Sequence, residues 1–270
     1  MEPNLITLIL IASASSVAGV LAGMLGIGGG IVIVPMLYYL LTYFGLDQSI
    51  IMHVAVGTSL FIIIPTGLRS AFEHSKRGSF NQLIFKKWFI PIAIGSALGS
   101  YLAGISSFKG LTLLFATLAS IVSYQMYTSS RKDELLRIIE HPLVNISPFF
   151  IGIFSSMMGI GGGNLSVPIM SYMGIDIRKA IGTSSALGIV IAIPGSIGFI
   201  ISGYGLPNLP DYSLGYVNLL FAALIIPLTI LFVPIGVRLA HKFERNRLLR
   251  IFSMLLAVTA IKMFWDIFSV

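Results

Sequence analysis

No cysteine occurs in the 270 residues, which excludes disulfides and thiolate metal sites and leaves the compartment open. Charge is scarce as well. Asp, Glu, Lys and Arg make up 10% of the chain against 56% hydrophobic residues, too little to coat a soluble domain. Acids are the rarer sign, 10 against 17 Lys and Arg, and Asp266 is the one carboxylate inside a long apolar run. A charge at mid-bilayer would cost at least about 2.5–3.5 kcal/mol, so no buried proton-relay carboxylate announces itself. The spans hold no carboxylate pair, no H-E-x-x-H and no G-x-S-x-G, and an intramembrane enzyme is set aside on that ground. The net charge of +7 lies in short loops, with no aromatic-interleaved basic domain, so no nucleic-acid partner is expected. No cofactor or metal is expected either.

Apolar runs are plentiful: 5–25, 31–46, 50–72, 88–106, 110–128, 143–158, 164–174, 177–203, 215–237 and 251–269. About 20 apolar residues cross a hydrocarbon core of roughly 30 Å, so the chain is expected to be an all-α polytopic membrane protein of 8 to 10 membrane segments. The N-terminus lacks the positive region of a secretory signal and reads as a retained first segment. The runs 143–158 and 164–174 are short, and together they resemble a broken or re-entrant helical hairpin.

All of the 17 Lys and Arg except Lys109 and Lys262 fall on four loops: Arg69 to Lys87, Arg131 to Arg137, Arg178 with Lys179, and Arg238 to Arg250. Basic loops are retained in the cytoplasm, whereas the loop 202–215 has Asp211 and no base. Threading the chain through these assignments puts both termini outside and makes the halves inverted copies. Each copy is a broken hairpin followed by three transmembrane helices, with a first repeat at 1–128, a cytoplasmic linker at 129–142 and a second repeat at 143–270. Inverted repeats with discontinuous helices are a recurring design of secondary transporters.

The repeat is visible in the letters. GMLGIGGGIVIVPML (23–37) returns as SMMGIGGGNLSVPIM (156–170), identical at 8 of 15 positions. The spacing makes neither a Rossmann turn nor a phosphate-binding P-loop. Two readings fit the clusters. Consecutive glycines break a helix and expose amide N–H groups to a ligand, or, spaced as in GxxxG, they let helices pack closely. Close packing is the reading for Gly19, Gly23, Gly95 and Gly99. Pro35 and Pro168 suit the first turn of a helix restarting after the break, with Gly26 and Gly159 opening it. A second shared element, GTS, follows at 57–59 and 182–184. Thr58, Ser59, Thr183 and Ser184 supply neutral hydroxyls that can coordinate an oxyanion without a buried charge, although such residues in membrane helices also bond to their own or a neighbouring helix.

The repeated GIGGG-x4-P with its following GTS, continued by LFIIIPTGLRSAFEHSKRGSFN, resembles the TauE/SafE family of sulfite exporters, also called the toluenesulfonate uptake permease family. The resemblance covers both halves. It implies a multi-pass plasma-membrane secondary transporter of small sulfur-containing anions such as sulfite, thiosulfate or sulfonates. Its motif matches Gly26, Gly28, Gly29, Gly30 and Pro35, then Gly159, Gly161, Gly162, Gly163 and Pro168, and both GTS triplets. The halves differ at Ile31 against Asn164 and Ile33 against Ser166. The substrate-binding set expected is therefore Gly28, Gly29, Gly30, Thr58, Ser59, Gly161, Gly162, Gly163, Asn164, Ser166, Thr183 and Ser184, holding one anion between the two breaks. An anion channel, or a carrier of another small organic anion, would use the same parts. Coupling to a proton or another ion stays open.

Other residues have plainer readings. His53 is an interfacial helix-start histidine, Arg69 and Glu73 an i,i+4 pair, and Arg178 with Lys179 a topology anchor or an anion-attracting mouth. Met24, Met157 and Met158 pack beside the clusters. Trp88, Trp265, Tyr38, Tyr39 and Tyr43 fit the aromatic belts at the membrane surfaces.

Overall fold

The computed structural model describes residues 5–26, 28–129, 142–242 and 245–268. Its elements are α1 (Leu5–Leu25), α2 (Gly30–Tyr43), α3 (Gln48–Ser75), α4 (Gln82–Ile105), α5 (Phe108–Ser129), α6 (Pro142–Met158), α7 (Gly163–Tyr172), α8 (Ile177–Ser202), the small hairpin β1 (Ser213–Leu214) and β2 (Val217–Asn218), α9 (Leu219–Lys242) and α10 (Arg245–Phe268). The ten apolar runs thus become ten helices among the described residues, and the protein is an all-α polytopic membrane protein. The proposed linker at 129–142 lies almost wholly outside the described residues, with Arg131, Lys132 and Arg137.

Helix ends follow local chemistry, and they do so twice. Gly45 and Gly174 adopt φ of 70° and 77° after α2 and α7, which closes each helix: the Leu46 N–H reaches Leu41 O and the Ile175 N–H reaches Met170 O. Two residues later Asp47 and Asp176 start the next helices by accepting from the N–H groups of Ser49 and Arg178. Asp47 is held below the usual carboxylate range, chiefly by its bonds from Ser49. Asn81 caps α4 by accepting from the Ile84 N–H, and Asn218 caps α9 by accepting from the Phe221 N–H. These caps explain why α4 starts six residues before its apolar run, with Lys86 and Lys87 inside its first turns.

α3 is the spine: 83% of its best apolar window is buried inside the protein, against 39% for α1, α4 and α9. Those four and α8 are long and apolar enough to cross a membrane. At 1.5 Å per residue α2 and α7 reach only about 21 and 15 Å, short of a hydrocarbon core. Outward-facing Leu10, Ile90 and Ile201 are more than half exposed, as suits a surface solvated by lipid.

Packing pairs the first five helices with the last five. α1 lies on α9 while α6 lies on α4; α3 meets α9 while α8 meets α4; α3 crosses α8, and α5 packs on α10. Exchanging α1 to α5 for α6 to α10 reproduces this set of contacts. At α1 and α4 the close approach read from the sequence is present: Gly19 and Gly23 face Thr229 and Val233, and Gly95 and Gly99 face Phe149 and Ile153. On α3 and α8 the antiparallel register is set by Ser70 Oγ, 2.9 Å from Ser185 Oγ, and by Gly195 against Leu60.

Contacts also sort the loops into two ends. Phe44 lies near Phe221, Tyr38 stacks on Phe108, and His53 stacks on Tyr216, so the connections 44–47, 106–107 and 203–218 share one end. Asn81 bonds to Thr183 and Ser79 faces Gly182, so 76–81 and 173–176 share the other.

Candidate functional site: two crossed glycine hairpins

The two GIGGG clusters meet between the ends. Gly29 and Gly162 have no side chain with which to cap α2 and α7; instead they adopt φ of 80° and 73°, which turns the chain sharply into each helix. A Cβ on Gly30 would strike the Gly159 carbonyl, and one on Gly163 would lie 2.6 Å from the Gly26 carbonyl oxygen. Each cluster therefore needs the bare backbone of the other repeat beside it. Packing and exposed backbone, the two readings of these glycines, coexist here.

The helices restart at Gly30 and Gly163, so Pro35 and Pro168 fall at the sixth residue of α2 and α7. This corrects the first-turn placement expected from sequence. The reason is that the αL glycine itself starts the helix, earlier than a proline would require. A proline there withholds the N–H that the carbonyl four residues back would receive, and in α7 that carbonyl belongs to Asn164. Leu165 and Ser166 N–H donate to Gly162 O, whereas among the described residues no backbone carbonyl accepts from the amides of Gly161, Gly162, Gly163 and Asn164. Four amides beside a helix N-terminus make a neutral donor cradle.

Asn164 and Ser166 stand on the first turns of α7, 8% and 1% exposed. Neither Asn164 Oδ1, Asn164 Nδ2 nor Ser166 Oγ has a hydrogen-bond partner, a state that costs about 1–3 kcal/mol per group unless a ligand or water satisfies it. The corresponding first-repeat residues, Ile31 and Ile33, are fully packed at 1% and 0% exposure. Ile63 in turn fills the space over Gly28, while Gly188 lies in its place over the Gly161 carbonyl. Unpaired side-chain polarity is thus concentrated on the second hairpin.

The GTS hydroxyls are engaged across the repeats. Ser59 Oγ donates to Gly159 O at 2.8 Å and Ser184 Oγ to Gly26 O at 2.8 Å. Thr58 Oγ1 accepts from the Asn218 N–H at 2.9 Å, and Thr183 Oγ1 from the Asn81 N–H at 2.9 Å. The glycine of each triplet allows this approach: a Cβ on Gly57 would lie 2.8 Å from Tyr216 O, and one on Gly182 would fall on Ser79 O. Sequence reasoning found the hydroxyls and missed Asn81 and Asn218. Their signal was the short repeat G-x-x-N, GSFN at 78–81 and GYVN at 215–218.

The remaining candidates separate. His53 is buried, and its Nε2 lies 3.1 and 3.0 Å from the carbonyl oxygens of Ala103 and Ser106, which ties α3 to the end of α4. His74 Nε2 lies 2.7 Å from Gly23 O. Arg69 and Glu73 form their pair at 3.1 Å. Trp265 and Tyr43 are exposed as belt residues should be, but Trp88 and Tyr38 are buried at 0% and 4%, because α4 turns Trp88 inward against the bundle. Met24, Met157 and Met158 are buried in the core. No group of three or more His, Cys, Asp or Glu able to hold a metal occurs among the described residues.

Comparison with known proteins returns the same architecture of sequence. Residues 11–263 match the family model described as sulfite exporter TauE/SafE. A "probable membrane transporter protein" of Haemophilus influenzae is 36% identical over 95% of this chain and 98% of its own. The "probable membrane transporter protein YunE" of Bacillus subtilis is 26% identical over 94% and 96%, and a further such protein of Methanocaldococcus jannaschii is 26% identical over 96% of each. No solved structure matches the chain.

Proposed function

The chain belongs to the sulfite exporter TauE/SafE family, and from that premise we propose that this multi-pass membrane transporter carries a small sulfur-containing oxyanion: sulfite, thiosulfate or an organosulfonate. The observation that carries the reading is the pair Asn164 and Ser166, more than nine-tenths buried and without partners beside four amides with no backbone acceptor. An oxyanion accepts hydrogen bonds in several directions at once, and Asn164 Nδ2, Ser166 Oγ–H and the amides of Gly161, Gly162 and Gly163 can each donate one. The positive end of the α7 dipole adds to them. Neutral donors suit a carrier, since a buried lysine or arginine would hold the anion too tightly and cost more to desolvate. Gly28, Gly29 and Gly30 bring the backbone of the first repeat up beside the cradle, and the Ile63 side chain over Gly28 moves aside for them to reach the anion.

In this reading the two repeats are inverted in a plasma membrane, with the basic loops in the cytoplasm and 203–218 outside. The anion is exposed to the two sides in turn as one repeat rocks against the other. Thr58, Ser59, Thr183 and Ser184 brace the frame in the conformation described here and reach the anion as the repeats part.

Uptake of labelled sulfite and thiosulfate into proteoliposomes, with and without a pH gradient, tests the proposal. Saturable uptake competed by the other sulfur anions is expected. Absence of flux from correctly inserted protein under every gradient would remove the sulfur-anion reading.

A further inference from the structure

Two clusters of the same four parts lie at opposite ends of the α3–α8 crossing. One end holds Gly57, Thr58 and Ser59 against the Tyr216 carbonyl, the Asn218 N–H and the Gly159 carbonyl; the other holds Gly182, Thr183 and Ser184 against the Ser79 carbonyl, the Asn81 N–H and the Gly26 carbonyl. Every one of these contacts joins the first repeat to the second. With Ser70 opposite Ser185, Thr183 is level with about residue 72 of α3. The two threonines therefore stand on the order of 20 Å apart along the helix axis. The glycine hairpins lie between them, Gly28 on Ile63 and Gly162 on Ile191.

We infer that these clusters are the two gates of the carrier, Thr58 with Asn218 closing the end that bears the 203–218 hairpin and Thr183 with Asn81 closing the end that bears the 76–81 turn. The inference rests on the carrier reading for its purpose and on the paired hydrogen bonds for its residues. A latch of this kind is switchable because of what it leaves behind. When an end opens, water or the entering anion takes over the freed Asn amide and Ser hydroxyl, so only the closed state depends on the threonine oxygen. The capping bonds of Asn81 to Ile84 and of Asn218 to Phe221 lie wholly within the moving element, so α4 and α9 keep their first turns whether the latch is made or broken. Both latches are closed in this structure, which makes it an occluded state with the anion site sealed from both sides.

The prediction is directional. Thr58→Val keeps the shape of the side chain and removes the acceptor, leaving the Asn218 amide unpartnered in the closed state only. It should open the 203–218 end while the other stays shut, and Thr183→Val should do the reverse. The natural chain has no cysteine, so Ser166→Cys introduces a single reporter at a site 1% exposed between the gates. Its modification by an impermeant methanethiosulfonate reagent, added to one face or the other of proteoliposomes of uniform orientation, reads which end is open.

Thr58→Val should raise the modification rate about five- to tenfold from one face alone, and Thr183→Val by a similar factor from the opposite face. Thr58→Ser and Thr183→Ser, which retain the hydroxyl, should return it to the parent rate. Both valine proteins opening the same face, or neither changing access while the serine controls behave as the parent, overturns the gate assignment. If a valine protein does not insert, the alanine variants carry the same comparison. Flux is read on the chain that keeps Ser166: opposite-face opening with no flux of sulfur anions through that chain would keep the gates and remove the sulfur-anion reading. Saturable flux with same-face opening would do the opposite.

Discussion

Replacing the second hairpin's polar pair with the first hairpin's residues, Asn164→Ile with Ser166→Ile, should yield a protein that is more stable and does not transport. Asn164 and Ser166 are buried and leave three polar atoms without partners. Each group costs about 1–3 kcal/mol in that state, so removing both relieves about 2–6 kcal/mol. Isoleucine is accommodated at the corresponding positions of the first repeat, where Ile31 and Ile33 are 1% and 0% exposed. The second hairpin must make room for the added methyl groups, at a cost of about 1–3 kcal/mol. The middle of each range, about 4 kcal/mol relieved against about 2 kcal/mol spent, leaves a net gain of about 2 kcal/mol, a rise on the order of 4–8 °C in unfolding temperature. The same change deletes two donors from the proposed anion site, each worth about 1.5–3 kcal/mol when paired with a charge.

Thermal unfolding in detergent, with and without millimolar sulfite or thiosulfate, measures the first half of the prediction, and proteoliposome uptake measures the second. The variant should melt higher than the parent, lose any anion-induced stabilisation and show no saturable uptake. A lower melting temperature would mean that the pair contributes to the fold through contacts worth more than the desolvation it suffers. Uptake at the parent rate would place the anion elsewhere. Either result refutes the reasoning that reads these unpaired groups as ligand-binding.

Three further outcomes are expected. Gly162→Leu should abolish transport while the protein still inserts, since it strains a φ of 73° and drives a Cβ into Ile191, costing about 1–2 kcal/mol for the backbone alone; membrane yield against uptake separates the two effects. Gly182→Ala should lower the yield of monodisperse protein severely because its Cβ falls on the Ser79 carbonyl, whereas Gly45→Ala, with open space around it at φ of 70°, should cost only about 1 kcal/mol. Asp47 has a depressed carboxyl, so its capping contribution is present at neutral pH and lost as pH falls through that lowered value. Protection of the Ser49 amide, taken relative to its intrinsic exchange rate at each pH, should therefore fall in acid, and Asp47→Asn, which keeps an uncharged cap, should flatten the dependence.

The helices were legible because each apolar run is long, interrupted by turn residues and bounded by caps. The run 5–25 coincides with α1, and 143–158 differs from α6 by a single residue at its start. The glycine clusters were legible because they repeat nearly letter for letter. What the GTS hydroxyls do was not, since their partners lie 100 to 160 residues away and one neighbourhood of sequence cannot report them. G-x-x-N escaped notice for a related reason: two matching letters inside polar loops look like turn chemistry, and turn chemistry is half of what they do. Trp88 was misplaced because belts are inferred from residue type, whereas which side of α4 faces lipid depends on where α6 and α8 pack.

The distribution of likeness and difference between the repeats is itself an argument about mechanism. The latches match in residue type, partner and length, 2.9 Å at each threonine and 2.8 Å at each serine, whereas the hairpins turn from apolar to polar at Ile31 against Asn164 and Ile33 against Ser166, and the helices over them differ at Ile63 on α3 against Gly188 on α8. A carrier that alternates needs its two open states to be close in free energy, within a few kcal/mol, or one would never be populated. Equal latches supply that condition, because opening either end breaks the same set of bonds. Binding has no such requirement, since one anion between two hairpins can be held by one of them. A duplicated chain can thus let its hairpins diverge toward a ligand while the contacts that set the balance between its two states are held alike. Altering one latch should therefore bias the direction in which the protein faces before it alters what it binds.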